Sequence, residues 1–153
     1  MNSKMPTDID FFVIEDTQTQ FEHLCLSLKK LGYNGDIVHA KSISSGLKLI
    51  ELLEQSKTNI DIVICDMHLP DGKGIEILEK IRGTSFLSSK PFLVYTSDDD
   101  SNLIIDCFEK GATSYLAKPY TDNELEEKIQ YCWNSREKEE KRAGLFYSIF
   151  KKN

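Results

Sequence analysis

Apolar residues recur along this chain with two alternating spacings. Five short runs are apolar at nearly every position, which is typical of strands that are buried on both faces. They are residues 9–14, 36–40 (the weakest run), 60–65, 91–96 and 113–117. Each run is followed by a segment with apolar residues at helical spacing, and several of these segments end at a glycine. The predicted helices are residues 17–32, 42–56, 74–83, 101–111 and 121–133.

Strict alternation of strands and helices predicts right-handed crossovers between parallel strands, with helices on both faces of one sheet. The expected fold class is therefore α/β, a doubly wound five-stranded parallel sheet. A length of 153 residues, 40% of them hydrophobic, is enough for one domain with a proper core. In doubly wound sheets the ligand site lies outside the carboxyl ends of the strands. The residues at those ends are the candidates for function.

The composition excludes several classes of protein. The net charge of −6 argues against a broad nucleic-acid-binding surface. No apolar run approaches the ~20 residues of a membrane span, and the N-terminal residues lack the apolar core of a signal peptide. The cysteines are scattered without a C-x-x-C pair, so we expect free thiols in a cytoplasmic protein. They are Cys25, Cys65, Cys107 and Cys132.

Charged and hydroxyl side chains follow the strands at the predicted ligand edge. Glu15 and Asp16 follow the first strand, and Asp66 follows the third. Three carboxylates at one edge repel one another, by ~4 kcal/mol for each pair at ~4 Å and an effective dielectric constant of about 20. A whole domain is stable by only about 5–15 kcal/mol. The cluster therefore requires a cation, and oxygen ligands from a few carboxylates suit Mg²⁺.

Two further strand ends complete a recognisable set of groups. Thr96, which closes the fourth strand, supplies a hydroxyl donor, and Lys118, expected at the exposed rim after the fifth strand, supplies a fixed positive charge. A metal, a lysine, a hydroxyl and a carboxylate together are what phosphoryl transfer to an aspartate requires. We therefore expect Asp66 to be a nucleophile.

The same residues carry a resemblance to a known family. The acidic pair, the strand-end aspartate, the strand-end threonine and the Lys-Pro pair occur in the order and at the separations typical of that family. Asp66, Pro70 and Gly74 form its D-x-x-x-P-x-x-x-G loop. Over roughly residues 8–134, the chain resembles the receiver domains of two-component response regulators, especially the chemotaxis regulators.

The resemblance implies a flavodoxin-like strand order of 2-1-3-4-5 and a role for each site residue. Asp66 is expected to be the phosphorylated residue, with Lys118 and Thr96 assisting the transfer. Thr96 and Tyr115 are expected to form the switch that responds to phosphorylation. The implied Mg²⁺ ligands are Glu15, Asp16, Asp66 and the backbone carbonyl of His68.

The resemblance also implies partners. A histidine kinase or a phosphotransfer protein would donate the phosphoryl group, directly or within a phosphorelay. A downstream protein, or a second copy of the chain, would bind the surface of the fourth helix, fifth strand and fifth helix. Beyond self-catalysed phosphoryl transfer and autodephosphorylation, no enzyme activity is expected. We also expect no separate output domain, no direct nucleic-acid binding and no stable membrane insertion.

Other interpretations of these residues remain open. A receiver-like interaction module would keep the fold and work without phosphorylation. A phosphatase of the haloacid dehalogenase type also uses a strand-end aspartate, but it carries a second aspartate two residues later, where this chain has His68. Asp66 is alternatively a turn former, the acidic pair a helix cap and Tyr115 an ordinary aromatic residue. The chain also departs from the family's compact members, because its acidic pair is Glu-Asp and residues 54–59 add length.

The C-terminal residues differ from the rest of the chain. We expect a receiver domain over residues 1–134 and a charged, aromatic extension over 135–153 with six basic and three acidic residues. Residues 136–142 are polar all round and rich in good helix formers, so we expect them to extend the fifth helix into solvent. One apolar face follows, formed by Leu145, Phe146, Ile149 and Phe150. That face belongs either to a frayed chain end or to a short helix that packs on a partner, a second copy or the domain itself.

Overall fold

The computed structural model of the chain describes residues 5–97 and 100–142. Its strands are Phe11–Ile14 (β1), Ile37–Ala40 (β2), Ile62–Cys65 (β3), His68–Leu69 (β4), Gly72–Lys73 (β5), Phe92–Thr96 (β6) and Ser114–Ala117 (β7). Its helices are Gln18–Lys30 (α1), Ile43–Ser56 (α2), Ile75–Arg82 (α3), Ser101–Glu109 (α4) and Asp122–Asn134 (α5). All the strands and helices predicted from the hydrophobic pattern are present.

Five of the strands form one parallel sheet in the order β2-β1-β3-β6-β7. The other two, β4 and β5, form a separate antiparallel pair in the loop after β3. Counted without that pair, the sheet has the order 2-1-3-4-5, so the predicted fold class and strand order are confirmed. The small pair was not predicted, because strands of two residues are too short to show a periodic pattern.

Side chains of the sheet alternate between two apolar cores, one on each face. Phe12 and Ile14 of β1 face the core formed with α2, α3 and α4. Phe11 and Val13 face the core formed with α1 and α5. All four are essentially inaccessible to solvent, which explains why the strands are apolar at every position. Within the described residues, no helix is both long enough and apolar enough to cross a membrane.

Polar side chains fix the starts of three helices. Ser42 forms a reciprocal capping box with Ser45 at α2. The carboxylate of Asp100 accepts N–H bonds from Asn102 and Leu103 at the start of α4, as expected for an acidic residue there. The Thr121 hydroxyl caps α5 by accepting from the Glu124 N–H group at 3.1 Å. Each cap satisfies backbone donors that the first helical turn leaves unpaired.

Asp71 joins the loop that contains β4 and β5 to the N-terminus of α2. Its carboxylate accepts the backbone N–H groups of Ile43 at 2.8 Å and Ser44 at 2.9 Å. These hydrogen bonds lower the pKa of Asp71 from its ordinary value of 3.8, and the bond from Ser44 has the largest effect. The loop after β3 is therefore held against α2 by a charged carboxylate.

Arg82, at the end of α3, holds the opposite edge of the sheet. Its guanidinium donates to the carbonyl oxygens of Lys90 at 2.7 Å and Gly111 at 2.7 Å, just before β6 and β7. Burial lowers the pKa of Arg82 to about 10, and the nearby carboxylate of Glu139 opposes that change. The guanidinium thus connects three segments of backbone at the amino-terminal ends of the strands.

Residues 136–142 are helical, but they are not solvated on all sides. Glu139 is only 5% exposed, and its carboxylate lies 3.7 Å from the Arg82 guanidinium. The expectation of a segment standing in solvent is therefore wrong at Glu139, because a buried guanidinium requires a counter-charge. The apolar positions predicted beyond Gly144 lie outside the described residues, as do Asp98 and Asp99.

Removing the Glu139 carboxylate should destabilise the domain, since it would leave the buried Arg82 guanidinium without its counter-charge. We expect Glu139→Ala to lower the free energy of unfolding by about 2 kcal/mol. Glu140→Ala is the matched control, because Glu140 is exposed on the same helical segment. Urea unfolding of both variants measures the difference, and equal stabilities would contradict a structural role for residues 136–142.

The Asp71 carboxylate should titrate below pH 3.8 in the folded protein, because its backbone hydrogen bonds favour the anion. A lowered folded pKa contributes stability above the unfolded value, and that stability is lost as the pH falls through the folded pKa. Carboxyl-carbon NMR titration measures this pKa, with Asp71→Asn identifying the resonance. A midpoint at or above 3.8 would show that the loop is not held in this way.

Candidate functional site

The carboxylates of the predicted site lie together at the carboxyl ends of β1 and β3. These strands are paired in parallel with Ile14 opposite Cys65, so Glu15 and Asp66 follow neighbouring strand ends. The Asp66 N–H group donates to the Ile14 carbonyl oxygen at 2.9 Å, which continues the strand pairing into the site. The order of the sheet reverses between β1 and β3, which is where ligands bind in doubly wound folds.

Glu15, Asp16 and Asp66 form one acidic cluster. Each offers a carboxylate oxygen, and these oxygens all lie within 4.8 Å of one another. Glu15 and Asp66 are buried, whereas Asp16 is exposed to solvent. Burial raises the pKa of Glu15 from its ordinary value of 4.5, while its hydrogen bond with Lys118 opposes that increase. The cluster therefore has two inner carboxylates and one outer carboxylate that faces solvent.

Lys118 supplies a positive charge inside this cluster. Its Nζ atom lies 2.6 Å from Glu15 Oε2 and 2.8 Å from Asp66 Oδ2. The expectation of an exposed rim lysine is wrong, because the Lys118 side chain is only 9% exposed. The side chain folds inward because two buried carboxylates in a medium of low dielectric constant attract it strongly. One ammonium among three carboxylates still leaves an excess of negative charge.

Two other residues surround the ammonium group of Lys118, and neither was predicted from the sequence. The Gln20 side-chain oxygen accepts a hydrogen bond from Lys118 Nζ. The ring of Tyr95 lies beneath the same atom, with its centroid 4.0 Å away, in the geometry of a cation–π contact. Gln20 belongs to the polar side of α1 and Tyr95 to an apolar strand, so no sequence motif marks either residue.

A short loop fixes the orientation of the Asp66 carboxylate. Asp66 Oδ1 accepts the backbone N–H of His68 at 3.1 Å, while Oδ2 is held by Lys118. Gly74 closes this loop, because a β-carbon there would lie 2.1 Å from the Asp66 carbonyl oxygen. The glycine of the D-x-x-x-P-x-x-x-G pattern is thus required by the close approach of the backbone. His68 is exposed, and its backbone N–H group is what orients Asp66.

Thr96 and Tyr115 lie on one face of the sheet. Thr96 is paired with Ala117, and Val94, two residues earlier, is paired with Tyr115. Paired residues of parallel strands present their side chains to the same face, so the two side chains are neighbours along that face. Thr96 is buried, and Tyr115 is half-buried against the core of α2, α3 and α4. The Thr96 carbonyl oxygen also accepts the Lys118 backbone N–H at 3.0 Å.

His39, on the edge strand β2, supports the junction between β1 and α1. Its Nε2 atom donates to the Glu15 carbonyl oxygen at 2.8 Å. The ring stacks on Phe21 of α1 with centroids 3.5 Å apart. This contact joins three elements around the acidic pair, and the sequence alone did not indicate it.

The residues present fit a divalent cation with oxygen ligands. Their donors are carboxylates, one of which is exposed and open to water, as Mg²⁺ prefers. The excess negative charge of the cluster is a further reason for a cation to bind there, and burial, with a smaller contribution from Asp66, raises the pKa of Glu15. The acidic cluster at the end of β1 and β3 is therefore consistent with a magnesium site.

Comparison with known proteins agrees with the geometry of this site. Chemotaxis protein CheY-3 of Vibrio cholerae is 26% identical over 129 residues, which are 84% of this chain and 95% of that protein. The two-component response regulator-like protein APRR9 of Arabidopsis thaliana is 29% identical over 92 residues, which are 60% of this chain but only 20% of that protein.

Solved structures and family comparison lead to one assignment. A response regulator receiver domain protein from Clostridium thermocellum superimposes with a TM-score of 0.71 at 26% identity, covering 84% of this chain and 97% of that one. The family model of the response regulator receiver domain matches residues 11–130, which include every residue of the site. The chain therefore belongs to the family of response regulator receiver domains.

Proposed function

We propose that this receiver domain accepts a phosphoryl group on Asp66 in a magnesium-dependent reaction and thereby switches a protein-interaction surface. Receiver domains are generally phosphoacceptors rather than enzymes. The observation that carries the proposal for this chain is the ammonium of Lys118, which is bonded to both Glu15 and Asp66 within the acidic cluster. This arrangement brings a nucleophile, a fixed cation and a group of candidate metal ligands into direct contact with one another.

The proposed ligands of Mg²⁺ are Glu15, Asp16, Asp66 and the backbone carbonyl of His68. When bound, the metal would supply positive charge that offsets the phosphoryl oxygens. An Asp66 oxygen would attack the phosphorus atom while the bond from phosphorus to the donor nitrogen of a phosphohistidine breaks. The products would be an aspartyl phosphate and a free histidine on the donor.

Fixed hydrogen bonds would provide most of the assistance to this transfer. The His68 N–H and the Lys118 ammonium hold one oxygen each of Asp66, so the carboxylate is oriented before the donor arrives. The ammonium lies where negative charge develops on the transferred group, so its attraction would grow during the reaction. Little reorganisation is needed, because the strand ends and the loop after β3 already fix these groups.

The proposed switch consists of Thr96 and Tyr115. The Thr96 hydroxyl would donate to a phosphoryl oxygen, and Tyr115 would then pack further inward along the same face of the sheet. This proposal is supported by the register that places both side chains on that face and by the half-buried state of Tyr115. Movement there would alter β7, the edge strand that carries Tyr115, together with α4 and α5, which lie on the two faces of the sheet at this edge.

We further propose the partners that this chemistry requires. A histidine kinase or phosphotransfer protein would be the donor, and a downstream protein or a second copy of the chain would bind the surface of α4, β7 and α5. These elements expose three large side chains, Ile105 at 53%, Phe108 at 41% and Tyr131 at 57%. We also propose a cytoplasmic location, a receiver domain over residues 1–134, and an extension from 135 whose first part packs on Arg82.

Asp66 should be the site that takes up phosphate. A small phosphoryl donor with Mg²⁺ should add one phosphoryl group to the wild-type chain, as measured by intact mass spectrometry. Chelation of the metal should abolish the addition, because the negative charges of the site are then not balanced. The substitution Asp66→Asn should abolish it because the nucleophile is lost. Uptake by Asp66→Asn at the wild-type rate would contradict the proposal.

Lys118→Ala should slow phosphorylation by about a hundredfold, the usual effect of removing one preorganised electrostatic contact. Without metal, it should also lower the free energy of unfolding by about 1–3 kcal/mol, since two buried carboxylates lose their donor. Added Mg²⁺ should reduce this deficit by supplying the missing charge. The control is Lys30→Ala, because Lys30 lies on the surface of α1. If Lys118→Ala has the stability and the phosphorylation rate of the wild type, the proposed role of Lys118 is excluded.

The stability deficit of Lys118→Ala should also depend on pH. Because the folded pKa of Glu15 is raised above 4.5, the folded protein binds the proton more tightly and loses stability as the pH rises above that value. Lys118 lowers the pKa of Glu15, so removing Lys118 should raise that pKa further and increase the stability that is lost as the pH rises. Metal-free unfolding should show a larger deficit at pH 8 than at pH 5, and a larger deficit at pH 5 would contradict this coupling.

A further inference from the structure

The ammonium of Lys118 has three N–H donors, and three side-chain oxygens accept from it. Two of these oxygens belong to Glu15 and Asp66, at 2.6 and 2.8 Å. The third is the amide oxygen of Gln20. The two carboxylates belong to the acidic cluster, whereas Gln20 is uncharged and stands outside it. The lysine is therefore held by two partners that would bind the metal or the phosphoryl group in the proposed reaction and by one that would not.

Gln20 reaches the ammonium from the first turn of α1. That helix starts at Gln18, with only one residue between it and the acidic pair, so the position of Gln20 is fixed relative to Glu15. The Gln20 backbone is also in contact with Tyr95, whose hydroxyl oxygen lies 3.5 Å from the Gln20 carbonyl oxygen. Since the Tyr95 ring lies under Lys118 Nζ, Gln20 and Tyr95 form two adjoining walls around one ammonium group.

We propose that Gln20 is a positioning residue that holds the Lys118 ammonium beside Asp66 when the carboxylates change partners. This inference rests on the proposed function. Lysine has a flexible four-carbon stem, so fixing its ammonium costs side-chain entropy. Metal binding or phosphorylation would weaken the bonds from Lys118 to Glu15 and Asp66, because each carboxylate then interacts with another charged group. An amide oxygen does not titrate and binds Mg²⁺ less readily than a carboxylate, so its bond to Lys118 persists through these changes.

A positioning role differs from a structural role in what its loss changes. Gln20 is exposed, so removing its side chain should leave the free energy of unfolding nearly unchanged. The position of the ammonium, and hence the rate of phosphorylation, should change instead. The effect should follow the presence of an acceptor oxygen at this position and not the volume of the side chain.

The experiment uses the full chain with four substitutions. Gln20→Ala removes the side chain, Gln20→Met keeps its length without an acceptor, and Gln20→Glu keeps an acceptor oxygen. Gln18→Ala is the matched control, because Gln18 lies in the same helical turn and its side-chain amide donates to the exposed carboxylate of Glu22 at 3.0 Å. Two quantities are measured: the rate of phosphorylation by a small donor with Mg²⁺, and the ¹H–¹⁵N signal of the Lys118 ammonium without donor, first in the absence and then in the presence of Mg²⁺.

We expect Gln20→Ala and Gln20→Met to be phosphorylated about tenfold more slowly than wild type, the effect of losing one hydrogen bond to a charged group. Their Lys118 ammonium signal should broaden, because a less restrained ammonium exchanges its protons faster with water. Gln20→Glu and Gln18→Ala should retain the signal. Urea unfolding should give the same stability for Gln20→Ala and Gln18→Ala.

A wild-type rate together with a wild-type Lys118 signal in Gln20→Met would overturn the inference. So would a slower rate that merely accompanies a loss of stability while the Lys118 signal is unchanged. Failure of the proposed function has a different result, namely no Mg²⁺-dependent phosphorylation of the wild-type chain. In that case the ammonium signal of the Gln20 variants still decides whether Gln20 positions Lys118.

Discussion

The Lys118 ammonium between Glu15 and Asp66 is the interaction on which the site depends. The parallel sheet brings the ends of β1 and β3 side by side, so the carboxylates that follow them lie close together although they repel each other. Lys118, which follows β7, offsets part of that repulsion and connects strands that are far apart in sequence. The compensation is incomplete, because one ammonium faces three carboxylates. That remaining negative charge is the reason that the site suits a metal ion.

The rest of the fold keeps these charges in place. Gly74 allows the loop after β3 to turn back against the Asp66 carbonyl, and Asp71 attaches the same loop to α2. At the opposite edge, Arg82 connects the segments before β6 and β7, and Glu139 neutralises it. The two edges use the same physical device, a cation held among oxygen atoms, with opposite consequences. The charge of Arg82 is balanced by Glu139, whereas the negative charge of the acidic cluster exceeds the positive charge of Lys118.

Much of this arrangement follows from patterns within single segments. Runs such as Ile62–Cys65 predicted the strands, and residues at the strand ends predicted the cluster, because all parallel strands end at one edge. Contacts between segments leave no such pattern. Gln20 and His39 reach the site from other elements, so their roles were missed. The burial of Lys118 and of Glu139 was also missed, since polarity predicts exposure until a buried partner of opposite charge is known.

A crystal structure of the protein grown with Mg²⁺ and beryllofluoride, a stable mimic of a phosphoryl group, would test the central claim most directly. The account predicts beryllofluoride bonded to an oxygen of Asp66, with Lys118 Nζ and the Thr96 hydroxyl in contact with its fluorine atoms and the metal among Glu15, Asp16 and Asp66. Beryllofluoride absent from Asp66 at saturating concentrations of both components, or bound at another residue, would contradict it.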